Sequence, residues 1–137
     1  MEPPKEKTRG LRNNNPLNIE RGQPWQGLRI VQTDPRFAQF TTMLYGLRAA
    51  FRLIRTYMLQ YRLNTISAII RRWAPPGENN TAAYIRTVSQ RSHIPADQPL
   101  KFTDRQHIVS IVAAMAYVES ATILDETLLS RAYDLAK

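Results

Sequence analysis

One acidic residue stands at the end of a segment that is otherwise apolar almost all the way round. Glu119 closes the segment 106–119, which has the composition of a core helix. It follows Ile108 by eleven positions, close to three helical turns, and so shares a stripe with Ile108, Val112 and Met115. A carboxylate among apolar side chains is desolvated, which raises its pKa. A glutamic acid with a raised pKa suits general-acid catalysis near neutral pH.

A second carboxylate would complete a site for glycoside hydrolysis, which often uses two. Glu20 follows an asparagine-rich loop, residues 12–18. Asp34 falls in a predicted turn, and Glu78 falls in a polar loop. For Asp34 the alternative is a turn residue that bonds its own backbone, and for Glu78 it is a solvated loop. For Glu119 the alternative is a frayed helix end that reaches water or pairs with an arginine. The predicted catalytic residues are therefore Glu119, Glu20 and Asp34.

Asparagine and aromatic side chains indicate where a sugar would bind. Asparagines can bond sugar hydroxyl and acetamido groups, or they can hold backbone turns. Aromatic rings can stack on sugars or form the core, and Trp25, in a loop beside Gln26-Gly27, is the best placed for stacking. The predicted substrate-binding residues are Asn15, Asn18, Trp25, Asn80 and Tyr84.

The bulk composition bounds the remaining possibilities. The chain has 137 residues, enough for one domain over 10–137, after a polar, proline-containing lead over 1–9 that we expect to be disordered. It has no cysteine and two histidines without ligand spacing, so we expect neither a metal nor a cofactor. No apolar run is long enough to span a membrane, and no signal peptide is recognisable. We therefore expect synthesis in the cytoplasm, with delivery by other means.

The net charge of +8 predicts an anionic partner. Nucleic acid, bacterial cell wall and membrane surfaces all qualify by charge. Nucleic acid is the least favoured, because the sequence has no zinc-finger spacing, RNP-like motif or convincing helix-turn-helix.

The spacing of apolar residues predicts a mostly helical α+β fold. A β-hairpin is expected near the N-terminus, with strands at 28–32 and 37–40 flanking a proline-containing turn. Asn80 is a predicted helix cap, and Thr103 with Gln106 has the spacing of a capping box at the start of the Glu119 helix. The five predicted helices lie near 43–61, 65–73, 80–89, 103–119 and 124–136.

Two family resemblances rest on motifs in this chain. The first is to small phage and prophage proteins of the virion type, and it runs from about residue 9 to 121. Its segments are Arg9-Gly-Leu-Arg-Asn-Asn-Asn-Pro-Leu-Asn-Ile19, Trp25-Gln-Gly27, Asp34 with Arg36-Phe-Ala-Gln-Phe40, Tyr45-Gly-Leu-Arg-Ala-Ala50, and Trp73-Ala-Pro-Pro-Gly-Glu-Asn-Asn-Thr81 with Tyr84-Ile85.

The second resemblance is to the bacterial glucosaminidase branch of the lysozyme-like superfamily. It rests on the order of five features along the chain: Asn18-Ile19, Trp25-x-Gly27, a hairpin, a helix opened by Gly46, and Asn80 with Tyr84. In such enzymes the catalytic Glu lies on a helix that precedes the Asn loop, whereas here the similar segment, 113–120, follows it. The resemblance implies a circularly permuted lysozyme-like domain. Lysozyme-type helices tend to have Gly soon after the Glu, where this chain has Ser120-Ala121.

The resemblances imply cleavage of the glycan strand of peptidoglycan, with Glu119 as the general acid. Either a lysozyme or a lytic transglycosylase fits, and a second carboxylate or the acetamido group of the substrate would assist. Action is expected at the cell wall or periplasm, or as part of a virion, with a virion, holin or secretion apparatus as partner. The alternative is a non-enzymatic virion or assembly protein that binds an anionic polymer.

Overall fold

Six helices follow a loop-rich N-terminal part in the computed structural model, which describes residues 7–137. Four of the helices begin at a side chain that caps the first turn: Thr42, Thr65, Asn80 and Asp125 each accept a backbone N–H two or three residues ahead. The helix bounds are α1 Arg9–Arg12, α2 Met43–Leu59, α3 Ile66–Trp73, α4 Thr81–Ser92, α5 Arg105–Ser120 and α6 Glu126–Ala136.

Helix α5 is the central helix of the core. Its buried residues lie around most of its circumference, and α4 and α6 pack against it, while α2 packs mainly on α6. Burial of each large aliphatic side chain contributes about 1.5 to 3 kcal/mol, so this helix is anchored along its length. The prediction of a mostly helical fold with a core helix before Glu119 is confirmed. The buried residues of α5 are Ile108, Val109, Ile111, Val112, Ala114, Met115, Ala116 and Ser120.

The start of α5 differs from its prediction. The helix begins at Arg105, its N-cap is Asp104, and no side chain caps it by a hydrogen bond. The predicted capping box at Thr103 is wrong because a tight turn precedes the helix, with the N–H of Asp104 bonded to the carbonyl of Lys101.

The predicted N-terminal hairpin does not form a strand ladder within the described residues. Only isolated antiparallel bridges join Glu20 to Phe37 and Leu28 to Phe40. Backbone bonds run from the Arg29 N–H to the Gln39 carbonyl and from the Thr41 N–H to the Gly27 carbonyl. Beyond them the side chain of Gln32 bonds the backbone of Gln39: its Nε2 donates to the Gln39 carbonyl at 2.9 Å, and its Oε1 accepts the Gln39 N–H at 2.8 Å. Side-chain bonding thus replaces strand pairing in this turn.

The N-terminal boundary also shifts. Residues 1–6 of the predicted disordered lead lie outside the described residues. Within the described part, Thr8 Oγ1 donates to the Ser120 carbonyl at 2.9 Å, and Arg9 begins α1 and pairs with Asp34. The folded part therefore begins before residue 10. None of the described helices is long and apolar enough to cross a membrane.

Candidate functional site

Glu119 is half-buried at the end of α5, where two side chains hold its carboxylate. Asn18 Nδ2 donates to Oε1 of Glu119 at 3.2 Å and also to its backbone carbonyl at 3.2 Å. Tyr84 OH, from α4, donates to Oε2 at 3.1 Å. Each oxygen thus has one donor, so the carboxylate is oriented rather than free to rotate.

The surroundings of Glu119 favour its protonated form. Burial raises the pKa of Glu119, and this effect outweighs the opposing contributions of Asn18, Tyr84, Trp73 and the Arg36 charge. Burial also raises the pKa of Tyr84 well above its ordinary value, and the negative charge of Glu119 adds to this rise. Tyr84 therefore stays a neutral hydrogen-bond donor at every pH at which Glu119 titrates.

A cleft of about 600 Å³ opens beside Glu119. It is lined by residues from the segments 18–25, 36–37 and 73–79, and by two side chains of α2, Leu53 and Tyr57. A second depression of about 360 Å³, lined by α4 and the end of α5, shares Asn79 and Glu119 with the cleft. Glu119 thus lies where two adjoining depressions meet.

The asparagine-rich loop is held in place by α2 and by its own side chains. A Cβ at Gly46 would lie 1.9 Å from the Asn14 carbonyl oxygen, so only glycine lets α2 approach the loop this closely. Asn15 is fully buried: its Nδ2 donates to the carbonyls of Ile19 and Ala38, and its Oδ1 accepts the Ile19 N–H. Asn15 therefore holds the loop, which favours the alternative of a turn-holding asparagine over its prediction as a substrate-binding residue.

Asp34 lies outside the cleft in a buried polar cluster. Its carboxylate accepts Nε and Nη2 of Arg9 at 2.7 and 2.6 Å, Nδ2 of Asn13, and the backbone N–H groups of Arg36 and Phe37. The Arg9 guanidinium, followed by these other donors, holds the pKa of Asp34 far below its usual range. This engagement favours the alternative of a structural turn residue over the prediction of Asp34 as a second catalytic carboxylate.

Glu20 lines the same cleft as Glu119. Its Oε1 accepts from Nη2 of Arg36 at 3.1 Å and from Nε at 3.2 Å, in an exposed ion pair. Glu78 also lines the cleft and is exposed. The structure therefore brings Glu20, Glu78 and Glu119 to one cavity, with the Arg36 charge acting on both Glu20 and Glu119.

The remaining predicted residues divide between the two depressions. Trp25 lines the cleft and is half-buried, but its Nε1 is buried without a partner among the described residues, so only the ring could meet a ligand. Asn80 lines the second depression while its side chain caps α4 by accepting the Ala83 N–H at 3.1 Å. Asn80 is thus the N-cap of α4, as its position in the sequence predicted.

Several residues that line the cleft were not among the predicted site residues, and Tyr57, Trp73 and Arg36 are the most relevant of them. Tyr57 and Trp73 pack edge to face, with ring centroids 6.0 Å apart, and both line the cleft. The helical spacing of Tyr57 favours a core position, so the sequence alone does not indicate that Tyr57 lines a cleft. The sequence indicated Arg36 only as part of a motif, because its electrostatic effect on the site depends on Glu20 and Glu119 lying close together in the fold.

Two further features of the described residues bear on the chemistry of the chain. Within residues 7–137 no three His, Asp or Glu residues gather in a way that could hold a metal ion. A separate cavity of about 680 Å³ is lined by Arg55, Lys101, Arg105 and Lys137, of which Arg105 and Lys137 are paired with Asp134; none of the described residues that line the cavity itself is Asp or Glu. This cavity offers positive charge but no general acid.

A phage protein is similar to this chain over most of its length. The chain is 41% identical over 121 residues to Protein P5 of Pseudoalteromonas phage PM2, an alignment that covers 85% of this chain and 74% of that protein. The chain therefore belongs to the family of this phage protein, and the predicted kinship with phage proteins is confirmed. No protein-family model matches the chain.

Proposed function

We propose that this protein cleaves the glycan strand of peptidoglycan, with Glu119 as the general acid. The observation that carries the proposal is the carboxyl of Glu119 itself: burial raises its pKa, Asn18 and Tyr84 orient it, and a cleft opens beside it. A carboxylic acid with a raised pKa, in a groove lined by aromatic and amide side chains, suits glycosidic-bond protonation.

In the proposed reaction Glu119 transfers its proton to the glycosidic oxygen of the leaving sugar. The bond between this oxygen and the anomeric carbon breaks, and the leaving sugar departs with a hydroxyl group. The oxocarbenium-like centre is stabilised by the acetamido group of the substrate or by Glu20, which lines the same cleft. Capture by water makes the protein a lysozyme, and capture by the muramoyl hydroxyl makes it a lytic transglycosylase. Neither route requires a metal or a cofactor.

Replacement of Glu119 by glutamine tests the proposal. Glu119→Gln should abolish clearing of purified peptidoglycan, because the amide cannot donate the proton, while Glu126→Gln, at an exposed position of α6, should clear normally. The melting temperature of Glu119→Gln at neutral pH should be unchanged or higher. A raised native pKa means that the carboxyl stabilises the fold below its unfolded-state pKa, and that this contribution is lost as pH rises through the native pKa.

The pH dependence and products complete this test. Wild-type activity should fall as pH rises through the raised pKa of Glu119. Mass spectrometry of the released muropeptides would separate hydrolysis from transglycosylation, since only the latter gives anhydro products. Normal clearing by Glu119→Gln would refute the assignment of Glu119, and absence of muropeptides from the wild type at any pH would refute the enzymatic proposal.

The second candidate is a non-enzymatic phage virion or assembly protein that binds an anionic polymer. Three observations favour it: the excess of 19 Lys and Arg over 11 Asp and Glu, the basic cavity near Arg105, and the relationship to a phage protein. In either case a virion, holin or secretion partner would bring the protein to the wall. The product analysis separates the two candidates, because a binding protein releases no muropeptides.

A further inference from the structure

The last residue of α5 is tied to the N-terminal part of the chain by two hydrogen bonds. Ser120 is 1% exposed. Its Oγ donates to the Pro16 carbonyl at 2.7 Å, and its own carbonyl accepts Thr8 Oγ1 at 2.9 Å. These bonds join residues that are 104 and 112 positions apart, so they act as a long-range clasp between α5 and the asparagine-rich loop.

The clasp involves the residue next to Glu119 in the chain and the same loop that carries Asn18. Pro16 and Asn18 belong to the same loop, and Asn18 contacts both the side chain and the backbone of Glu119. A hydroxyl that fixes the loop at Pro16 therefore also fixes the distance from the Asn18 amide to the Glu119 carboxyl.

Gly10 is shaped to receive the hydroxyl of Ser120. A Cβ at Gly10 would lie 2.0 Å from Ser120 Oγ, a separation that no packed pair of atoms tolerates. It would also lie 3.0 Å from the Asn15 carbonyl oxygen and 3.1 Å from Asn18 Oδ1. The absent side chain at Gly10 thus leaves room for the hydroxyl within the loop that holds Asn18.

We propose that Ser120 is a positioning residue for Glu119: its hydroxyl clasps the asparagine-rich loop and thereby keeps the Asn18 amide on the carboxyl. This inference rests on the proposed function of Glu119. It adds how the end of α5 and the asparagine-rich loop are held in position relative to each other. The end of α5 and the asparagine-rich loop are far apart in the chain, and the hydrogen bonds of the clasp hold them together.

Removal of the hydroxyl tests the clasp. Ser120→Ala should lower kcat on peptidoglycan by roughly 10- to 100-fold with KM within about twofold, because a misplaced acid impairs proton transfer more than binding. Ser89→Ala is the matched control, since Ser89 Oγ donates to the Ile94 carbonyl at 2.6 Å at the other end of α4. A kcat for Ser120→Ala that equals that of Ser89→Ala would overturn the proposal.

A titration of Glu119 followed by carbon-13 NMR gives a readout that needs no activity. The Asn18 hydrogen bond lowers the pKa of Glu119, so its loss in Ser120→Ala should move the titration midpoint upward, and Ser89→Ala should leave it in place. An unmoved midpoint would refute the clasp. If the wild type is inactive but the midpoint moves, the proposed function fails while the positioning role stands.

Gly10→Ala provides an independent check. Alone it should lower the melting temperature sharply, because the new methyl meets the Ser120 hydroxyl. Combined with Ser120→Ala it should recover part of that loss, because the obstructing oxygen is gone. Strictly additive losses in the double variant would contradict the packing of Gly10 against Ser120.

Discussion

Two carboxylates of this chain have opposite pKa shifts because their neighbours differ. Glu119 is half-buried, and this burial raises its pKa more than the neutral donors Asn18 and Tyr84 lower it. Asp34 receives a guanidinium, an amide and two backbone N–H groups, so its pKa falls. An acid that keeps its proton can protonate a substrate, whereas an acid that is always ionised can anchor a loop. The environment of each carboxylate therefore separates a catalytic candidate from a structural one.

Asp34→Asn should reveal the structural role as a pH-dependent loss of stability. At pH 7 we expect the free energy of unfolding to fall by about 2 kcal/mol, because the Arg9 guanidinium loses its charged acceptor. The native pKa of Asp34 lies below its unfolded value of about 3.9, so its contribution is present above that pH and is lost as pH falls.

Urea denaturation at several pH values measures this loss. The difference between wild type and Asp34→Asn should shrink as the pH is lowered from about 5 towards 2. Asp97→Asn, at an exposed loop position, should show little difference at any pH. A difference for Asp34→Asn that stays constant over this range would contradict the ionised anchor.

At the scale of the element, the end of α5 determines where Glu119 lies. The helix ends at Ser120, and its C-cap Ala121 is in the left-handed region with φ of 51° and ψ of 44°. Residues with a Cβ adopt this conformation at a cost, and helices commonly end with glycine there. The glycine expected from lysozyme-type helices is thus absent from the sequence, but the backbone turn that it would permit is present.

Ala121→Gly should therefore stabilise the protein. We expect a gain of about 0.5 to 1 kcal/mol in the free energy of unfolding, since relief of left-handed strain exceeds the added freedom of the unfolded chain. Ala82→Gly, exposed within α4, should instead lose up to about 1 kcal/mol. Thermal denaturation of both variants checks the opposite signs, and a loss of stability in Ala121→Gly would show that the cap is not strained.

The sequence predicted the helices well because their evidence is local. Apolar spacing and side-chain caps such as Thr65 and Asn80 lie within a few residues of the helices they specify. The hairpin prediction went wrong because alternating apolar residues in 28–40 do not reveal that Gln32 and Gln39 bond the backbone instead.

The candidate site was less predictable because its contacts are remote in the chain. Glu119 was identified by its polarity on an apolar stripe, which is a local signal. Its contact with Asn18 joins residues 101 positions apart, and its contact with Tyr84 joins residues 35 apart. The same holds for Asp34, because its pairing with Arg9 depends on the fold of a loop and not on spacing. Residue types suggested candidates, and only packing assigned their roles.

At the scale of the whole molecule, the positive charge is not concentrated at Glu119. The cleft contains Glu20 and Glu78 as well as Arg21 and Arg36, so its own charges largely offset one another. The net charge of +8 therefore belongs mostly to other surfaces, which include the basic cavity lined by Arg55, Lys101, Arg105 and Lys137. Attraction to an anionic polymer and bond cleavage are thus expected to be separable properties.

This separation predicts how wall binding should depend on salt. Glu119→Gln, which should bind without cleaving, should sediment with purified sacculi at low ionic strength and be released as salt rises from about 0.05 to 0.5 M, because screening shortens the reach of surface charges. Lys101→Glu combined with Arg55→Glu should weaken that binding at low salt, whereas Glu78→Gln, in the cleft, should not. Binding that is equally strong at both salt concentrations would place recognition in the cleft rather than in the net charge. In that case the aromatic and amide side chains beside Glu119 would have to supply most of the affinity.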